Sequence, residues 1–209
     1  MSKDAVLLIA CGALSHELVR IRELNGWAHL DIQCLPAELH NEPHKIPDAV
    51  AAKLEQNKDQ YREIVVGYAD CGTGGQLDRL LEAQGIERLP GAHCYEFFAG
   101  STTFHQLHES EPGTFYLTDF LARHFQRLVI KGLGLDRFPE LKSTYFAHYK
   151  KLVLLAQLDD DSIDQAAQEA AQFLELDYER VFTGDDFLDS ELAVRIGSVS
   201  KPNNQATSG

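Results

Sequence analysis

The segment Ile64-Val65-Val66-Gly67-Tyr68-Ala69-Asp70-Cys71-Gly72-Thr73-Gly74-Gly75-Gln76-Leu77-Asp78 decides the fold of this chain. A short β-branched run leads into a glycine-rich turn, and a helical pattern of leucines begins immediately after it. This order predicts a buried strand, a tight loop and a helix whose N-terminus points at the loop. Ligands of open α/β sheets bind beyond the carboxyl ends of the strands, so Cys71 lies at a predicted ligand site.

Segments of the same kind recur along the chain, and Cys11-Gly12 repeats the arrangement of Cys71-Gly72 after an apolar run. We predict strands over residues 5–10, 28–35, 63–67, 86–89, 114–117, 152–157 and 178–182. In the second half of the chain we predict helices from residue 118 to about 131, from 139 to about 150 and over 162–174. Strands that alternate with helices predict an α/β, Rossmann-like fold, with a mainly parallel sheet, helices on both faces and a helix-rich second half. We expect one α/β domain over residues 1–197 and a disordered polar tail over residues 198–209.

Composition restricts the class of function. The chain has 209 residues and a formal net charge of −13, which argues against a nucleic-acid or anionic-membrane partner. No apolar run approaches the roughly 20 residues that span a bilayer. The apolar run before Cys11 starts only at Ala5, which is short for a signal peptide. We therefore expect a cytoplasmic protein, whose reduced cysteines favour metal binding or catalysis over disulfides.

The four cysteines all lie at or just after predicted strand ends. Cys11, Cys71 and Cys94 each adjoin glycine or a polar loop, which favours a functional thiol. Cys34 alternates with apolar residues of its strand, and we interpret it as a small buried hydrophobic residue.

Two histidines accompany the cysteines, since His40 lies in a proline-flanked loop and His93 precedes Cys94. Three thiolates, with or without one imidazole, can hold zinc or an iron–sulfur cluster. The predicted metal ligands are Cys11, His40, Cys71, His93 and Cys94. The remaining histidines are interpreted as surface or core residues.

The glycine-rich turn allows a second interpretation, because a loop of this kind before a helix can bind a phosphate or carboxylate. Its candidate cofactor-binding residues are Gly72, Thr73, Gly74 and Gly75. The turn lacks the Lys-Ser/Thr ending of a nucleotide P-loop, and Asp70 would repel a phosphate. Nucleotide binding is therefore the weaker interpretation.

Candidate catalytic residues are Cys71, the adjacent Asp70, and Glu111. Glu111 belongs to a stretch over residues 111–120 that, like residues 132–137, combines turn glycine with charged side chains. Turns and helix caps explain the glycine and threonine residues of both stretches. They leave the charged residues as candidates for substrate contact or for support of the ligands.

Four segments of the chain, residues 10–12, 39–41, 67–72 and 91–94, resemble the landmarks of domain-of-unknown-function family 1638. The resemblance extends from about residue 6 to residue 184. It implies a role in one-carbon metabolism, because that family occurs in bacteria and methanogenic archaea beside corrinoid-dependent methyltransferases acting on methylamines or betaines. It also implies that the residues of functional interest are Cys11, His40, Cys71 and Cys94. The partner that it implies is a corrinoid protein or a corrinoid methyltransferase. The resemblance does not indicate which reaction the protein would catalyse.

The leading hypothesis is a cytoplasmic Cys/His metalloprotein, with zinc or an iron–sulfur cluster, that acts in corrinoid-linked methyl transfer. It would act as a methyltransferase on a small-molecule substrate or as an accessory protein, so the sequence leaves open whether it is an enzyme. One alternative is a metal-free two-cysteine racemase or isomerase acting on a small carboxylate. Another is a non-catalytic module that binds a corrinoid protein.

Overall fold

The computed structural model describes residues 5–197, in which six strands form two parallel three-stranded sheets. The strands are β1 (Val6–Cys11), β2 (Leu30–Leu35), β3 (Glu63–Gly67), β4 (Thr114–Thr118), β5 (Lys151–Ala156) and β6 (Asp177–Phe182). The first sheet has the order β2-β1-β3 and the second has the order β4-β5-β6. The α/β, Rossmann-like prediction is confirmed, although the strands are divided between two sheets.

Within residues 5–197, eight α-helices connect and cover the strands. They are α1 (Ser15–Leu24), α2 (Ile46–Gln56), α3 (Gln76–Glu82), α4 (Glu96–Ser110), α5 (Asp119–Arg123), α6 (Leu141–Tyr145), α7 (Asp161–Leu174) and α8 (Asp186–Gly197). A π-helical segment, Gln126–Lys131, follows α5. No described helix is both long and apolar enough to cross a membrane.

β1 and β5 are the central strands of the two sheets, and their side chains are almost completely buried. All six residues of β1 are buried, and in β5 only Lys151 at its start is partly exposed. Such continuous apolar runs are typical of parallel strands covered on both faces. Apolar residues of both sheets belong to one buried cluster.

The prediction of a strand over residues 86–89 is wrong, because the backbone pairs with β3 only at one bridge, Val66 to Arg88. Val66 donates its N–H to Glu87 O at 3.0 Å and accepts from Leu89 N at 2.9 Å. Pro90 follows and has no N–H with which to extend this ladder. The chain therefore leaves the sheet immediately before the loop that carries Cys94.

The ends of the other predicted strands agree with the observed ends to within two residues, whereas two predicted helices differ more from the observed ones. The helix expected over residues 118–131 is divided into α5 and the π-helical segment, and the helix expected from residue 139 to about 150 is reduced to α6. The predicted polar tail over residues 198–209 lies outside the described residues.

Strand register sets the position of the functional loops. Cys11 pairs with Leu35, and Ala10 pairs with Gly67, so the three strands of the first sheet end at nearly the same level. Because the strands are parallel, the loops that follow them lie at one edge of the sheet. That edge carries Cys11, His40 and Cys71, as the sequence predicts.

Candidate functional site

Backbone hydrogen bonds join the loop of Cys71 to the loop of Cys94. Asp70 donates its N–H to Gly91 O at 3.1 Å, and Cys71 donates its N–H to Ala92 O at 2.8 Å. Arg88 strengthens this junction, because its guanidinium forms an ion pair with Asp78 and donates to Gly91 O at 3.2 Å. Two cysteines that are far apart in the sequence are thereby held side by side.

The turn after β3 is closed by the side chain of Asp70. Its carboxylate accepts hydrogen bonds from the Thr73 hydroxyl at 2.6 Å and from the N–H groups of Gly75 and Gly74 at 2.8 and 3.2 Å. Burial alone would raise the pKa of Asp70, but these hydrogen bonds outweigh it and lower the pKa. Thr73 donates its own N–H to Asp70 O at 3.0 Å, so the N–H groups of Thr73, Gly74 and Gly75 are already used within the loop. Asp70 stabilises the turn.

The backbone of this turn also explains its glycines. Cys71 has a φ of 49° and Gly72 a φ of 83°, so two consecutive residues adopt the left-handed region. Glycine adopts this conformation without steric cost, whereas a cysteine there is strained. The strained residue is the one whose thiol faces the site, which is where such conformations tend to concentrate.

All three predicted ligand cysteines and one of the two predicted ligand histidines line a single cavity of about 10 Å³. This volume is comparable to the space needed by one water molecule. Its polar lining consists of Cys11, His40, Tyr68, Cys71 and Cys94. His93, the fifth predicted ligand, lines the adjoining outer cavities instead.

The three thiols differ in how easily they ionise. A hydrogen bond from the Cys94 thiol lowers the pKa of Cys71 against the opposing effect of burial, with a smaller contribution from the charge of Arg88. The same hydrogen bond and burial raise the pKa of Cys94 well above its ordinary value. Burial raises the pKa of Cys11 to about 11. Cys71 is therefore the thiol whose anionic form the site favours.

His40 approaches the cavity from a loop that is fixed to the second half of the chain. The Asn41 side-chain amide donates to Leu128 O at 2.7 Å, and Gly132 leaves space for it, since a Cβ there would lie 2.5 Å from the Asn41 amide nitrogen. Burial, followed by the nearby His93, lowers the pKa of His40. The site therefore holds His40 as a neutral imidazole, which is the form that binds metals.

Tyr68 is the residue of this cavity that sequence reasoning missed. It is buried, with 2% of its surface exposed, and its hydroxyl has no hydrogen-bond partner of normal geometry among the described residues. Burial raises its pKa, and the nearby Cys11 thiol raises it further. The feature of the sequence that could have identified Tyr68 as a site residue is its position directly after β3, next to Gly67.

Two larger cavities adjoin the thiols on the outer side. The inner one, of about 270 Å³, is lined by Cys71, Cys94 and His40 together with aromatic residues. The outer one, of about 580 Å³, is lined mainly by aromatic and histidine side chains. Both include His93 and Tyr95 in their walls, so the two cavities lie next to each other.

Several predicted residues lie apart from the thiols. The Glu111 carboxylate accepts from Gly113 N at 2.9 Å and pairs with Lys150 at 3.2 Å, and it lines none of the three cavities. Arg137 lies over the ring of Phe138.

The interpretation of Cys34 as buried is wrong, because β2 is an edge strand and exposes this thiol.

The donor set agrees in kind with a zinc or iron–sulfur site, since thiols and a neutral imidazole are the ligands that these groups prefer. The unpartnered hydroxyl of Tyr68 marks the cavity as a place where a polar group is accommodated. Within residues 5–197, however, no three His, Cys, Asp or Glu side chains already have the spacing that a metal ion requires. Coordination would require the thiols to lose their protons and turn towards a common centre.

Comparison with known proteins identifies a family. A family model described as "Protein of unknown function (DUF1638)" matches residues 34–192, which include His40, Cys71 and Cys94 but not Cys11. No curated protein and no solved structure matches the chain. Because the family match covers more than half of the sequence, the chain belongs to the DUF1638 family.

Proposed function

We propose that this protein is a metal–thiolate protein in which Cys11, Cys71 and Cys94, with His40 as a fourth donor, hold a zinc ion or an iron–sulfur cluster. The observation that carries the proposal is that these four side chains come from four separate loops and line one buried cavity. Buried cysteines are common as isolated hydrophobic residues, but three thiols and an imidazole rarely converge without a chemical reason.

The surrounding residues suit such a centre. Arg88 and the Cys94 thiol favour the anionic form of Cys71, and the burial of His40 keeps its imidazole neutral. Bound at this position, zinc would supply Lewis acidity and an iron–sulfur cluster would supply electron transfer. The adjoining cavities would bring a small molecule to the Cys71 side of the site.

The reaction that we assign is methyl transfer in corrinoid-linked one-carbon metabolism, in the cytoplasm, with a corrinoid protein or methyltransferase as partner. This part of the proposal rests on the family resemblance. Within it, Cys71 would bind or activate the methyl acceptor, and the chain would be either the methyltransferase or its accessory protein.

The arrangement of the thiols favours this proposal over a two-cysteine racemase. A racemase needs two thiols on opposite faces of the substrate carbon. The Cys94 thiol instead lies close enough to Cys71 to lower the pKa of Cys71 by a hydrogen bond, and burial raises the pKa of Cys11 to about 11. No lysine or arginine of the described chain lines the three cavities to bind a substrate carboxylate.

The test is the metal content of protein purified without oxygen or chelators. We expect about one equivalent of a zinc ion or one cluster per chain. The Cys71→Ala variant should lose most of this metal, whereas Cys34→Ala, which removes the exposed thiol of β2, should retain it. Less than about half an equivalent of zinc or iron in the unaltered protein, or equal losses in the two variants, would contradict the proposal.

A further inference from the structure

The two outer cavities form a pocket of a size that binds small molecules. Their volumes, about 580 and 270 Å³, lie in or near the range of known ligand sites. The inner cavity ends at Cys71 and Cys94, and the outer one opens to solvent beside two partly exposed tyrosines, Tyr145 and Tyr149. A ligand that fills this pocket reaches the thiols.

Aromatic rings form the wall of the pocket. The ring of Phe104 lies 5.1 Å from that of Tyr116 and 6.3 Å from that of Tyr95, and the rings of Tyr95 and Tyr116 are 5.5 Å apart. Aromatic faces carry partial negative charge and attract cations within about 6 Å, most strongly where water is excluded.

Glu96 is the one acidic side chain of the described chain that lines the pocket, and the basic side chains there are histidines. Within residues 5–197, no lysine or arginine lines either cavity, and Lys150 nearby is paired with Glu111. Glu96 lines the outer cavity and accepts hydrogen bonds from Ala92 N at 2.7 Å and from the Ser101 hydroxyl at 2.9 Å. The whole chain carries a formal charge of −13.

One polar group of the wall lacks a partner. Tyr116 is 6% exposed, and its hydroxyl makes no hydrogen bond of normal geometry within the described chain, although the Thr114 hydroxyl is close enough to affect its pKa. Such a hydroxyl can accept a hydrogen bond from an N–H group of a ligand. Leaving it unpaired would cost free energy in the folded protein.

We propose that this aromatic pocket binds a compact organic cation. The faces of Tyr95, Phe104 and Tyr116 and the negative charge of Glu96 hold it, and the rings of Tyr145 and Tyr149 complete the site at the solvent side. That the bound cation is the substrate of the thiols rests on the proposed function, whereas the preference for a cation follows from the pocket itself. An anion of the same size would meet aromatic faces and a carboxylate without any cationic partner.

Binding of three probes of nearly equal shape tests the charge preference. Benzamidinium, benzamide and benzoate differ mainly in charge, and calorimetry at pH 8 measures the affinity of each for the full chain. Histidine side chains are ordinarily uncharged at this pH, so the histidines of the wall do not bias the result. We expect benzamidinium to bind about tenfold more tightly than benzamide, and benzoate to bind more weakly than either.

Two variants locate the binding site. Replacing both Tyr145 and Tyr149 by leucine removes two partly exposed rings and should weaken benzamidinium binding about threefold or more. Tyr61→Leu is the matched control, because Tyr61 lies before the amino end of β3 and lines none of these cavities. Equal affinities for benzamidinium and benzamide, absence of binding by benzamidinium, or unchanged binding in the double variant would each overturn the proposal. Metal content is measured separately, so its absence beside intact cation binding would refute the proposed function alone.

Discussion

Glu17, on α1, is a buried carboxylate that the structure leaves poorly compensated. It is 3% exposed, and its Oε2 atom has no hydrogen-bond partner among residues 5–197. Its pKa is raised to about 7, mainly by burial and to a lesser extent by the carboxylates of Asp185 and Asp119, against the opposing effects of its own backbone N–H and the charge of Arg20. At neutral pH this group is therefore a source of instability in the folded protein.

The sign of its pH dependence follows from linkage. A carboxyl with a raised pKa binds its proton more tightly in the folded state, so stability decreases as the pH rises from about 4.5 to about 7. Glu17→Gln should increase the free energy of unfolding at pH 8 by about 1–3 kcal/mol and change it little at pH 5. Urea unfolding at both pH values measures this difference. Glu23→Gln, on the exposed face of the same helix, should change neither value; an equal gain there would refute the explanation.

The residues whose convergence could be predicted from the sequence are those with a strong local signal. Cys11 and Cys71 follow buried strands directly and adjoin glycine, and they meet in the cavity as expected. Tyr68 gave no comparable signal, because a tyrosine after a strand is equally typical of a core residue. The misinterpretation of Cys34 came from the alternation of its strand, which does not reveal that β2 lies at the edge of its sheet.

Among the elements, the loop of His40 is fixed to the π-helical segment by the Asn41 hydrogen bond and by an ion pair between Glu38 and Arg127. Asn41→Ala removes the hydrogen bond to Leu128 O and should lower the free energy of unfolding by about 0.5–1.5 kcal/mol. Because this bond positions His40, we also expect weaker zinc binding in competition with a chelator. Asn25→Ala removes a similar bond, from Asn25 to Ile21 O, at the end of α1, together with a hydrogen bond from Asn25 to the carboxylate of Asp189. It should reduce stability without affecting zinc affinity, and a loss of affinity in both variants would exclude a positioning effect.

Element boundaries were predictable where the apolar pattern was long and the capping residues were clear. The strand β3 and the helix α7 agree with the sequence to within one residue. The predicted strand over residues 86–89 is apolar at its ends, but Arg88 turns to Asp78 and Pro90 prevents further pairing. The contact of Arg88 with Asp78 cannot be read from local residue preferences.

On the scale of the whole molecule, parallel topology made the thiol site predictable. Loops after parallel strands share one edge, which brought Cys11, His40 and Cys71 together without any knowledge of the strand order. The division into two sheets and the aromatic pocket were not predictable. The pocket combines side chains of α4, β4 and the segment before β5, whose approach depends on long-range packing rather than a local pattern.

The central claim, that the cysteine and histidine loops form one metal centre, is tested most directly by X-ray absorption at the zinc or iron edge. The account predicts at least three sulfur ligands per metal ion at about 2.3 Å, with an unchanged spectrum in Cys34→Ala. A first shell made of oxygen and nitrogen alone, or a sulfur count that falls in Cys34→Ala, would contradict it.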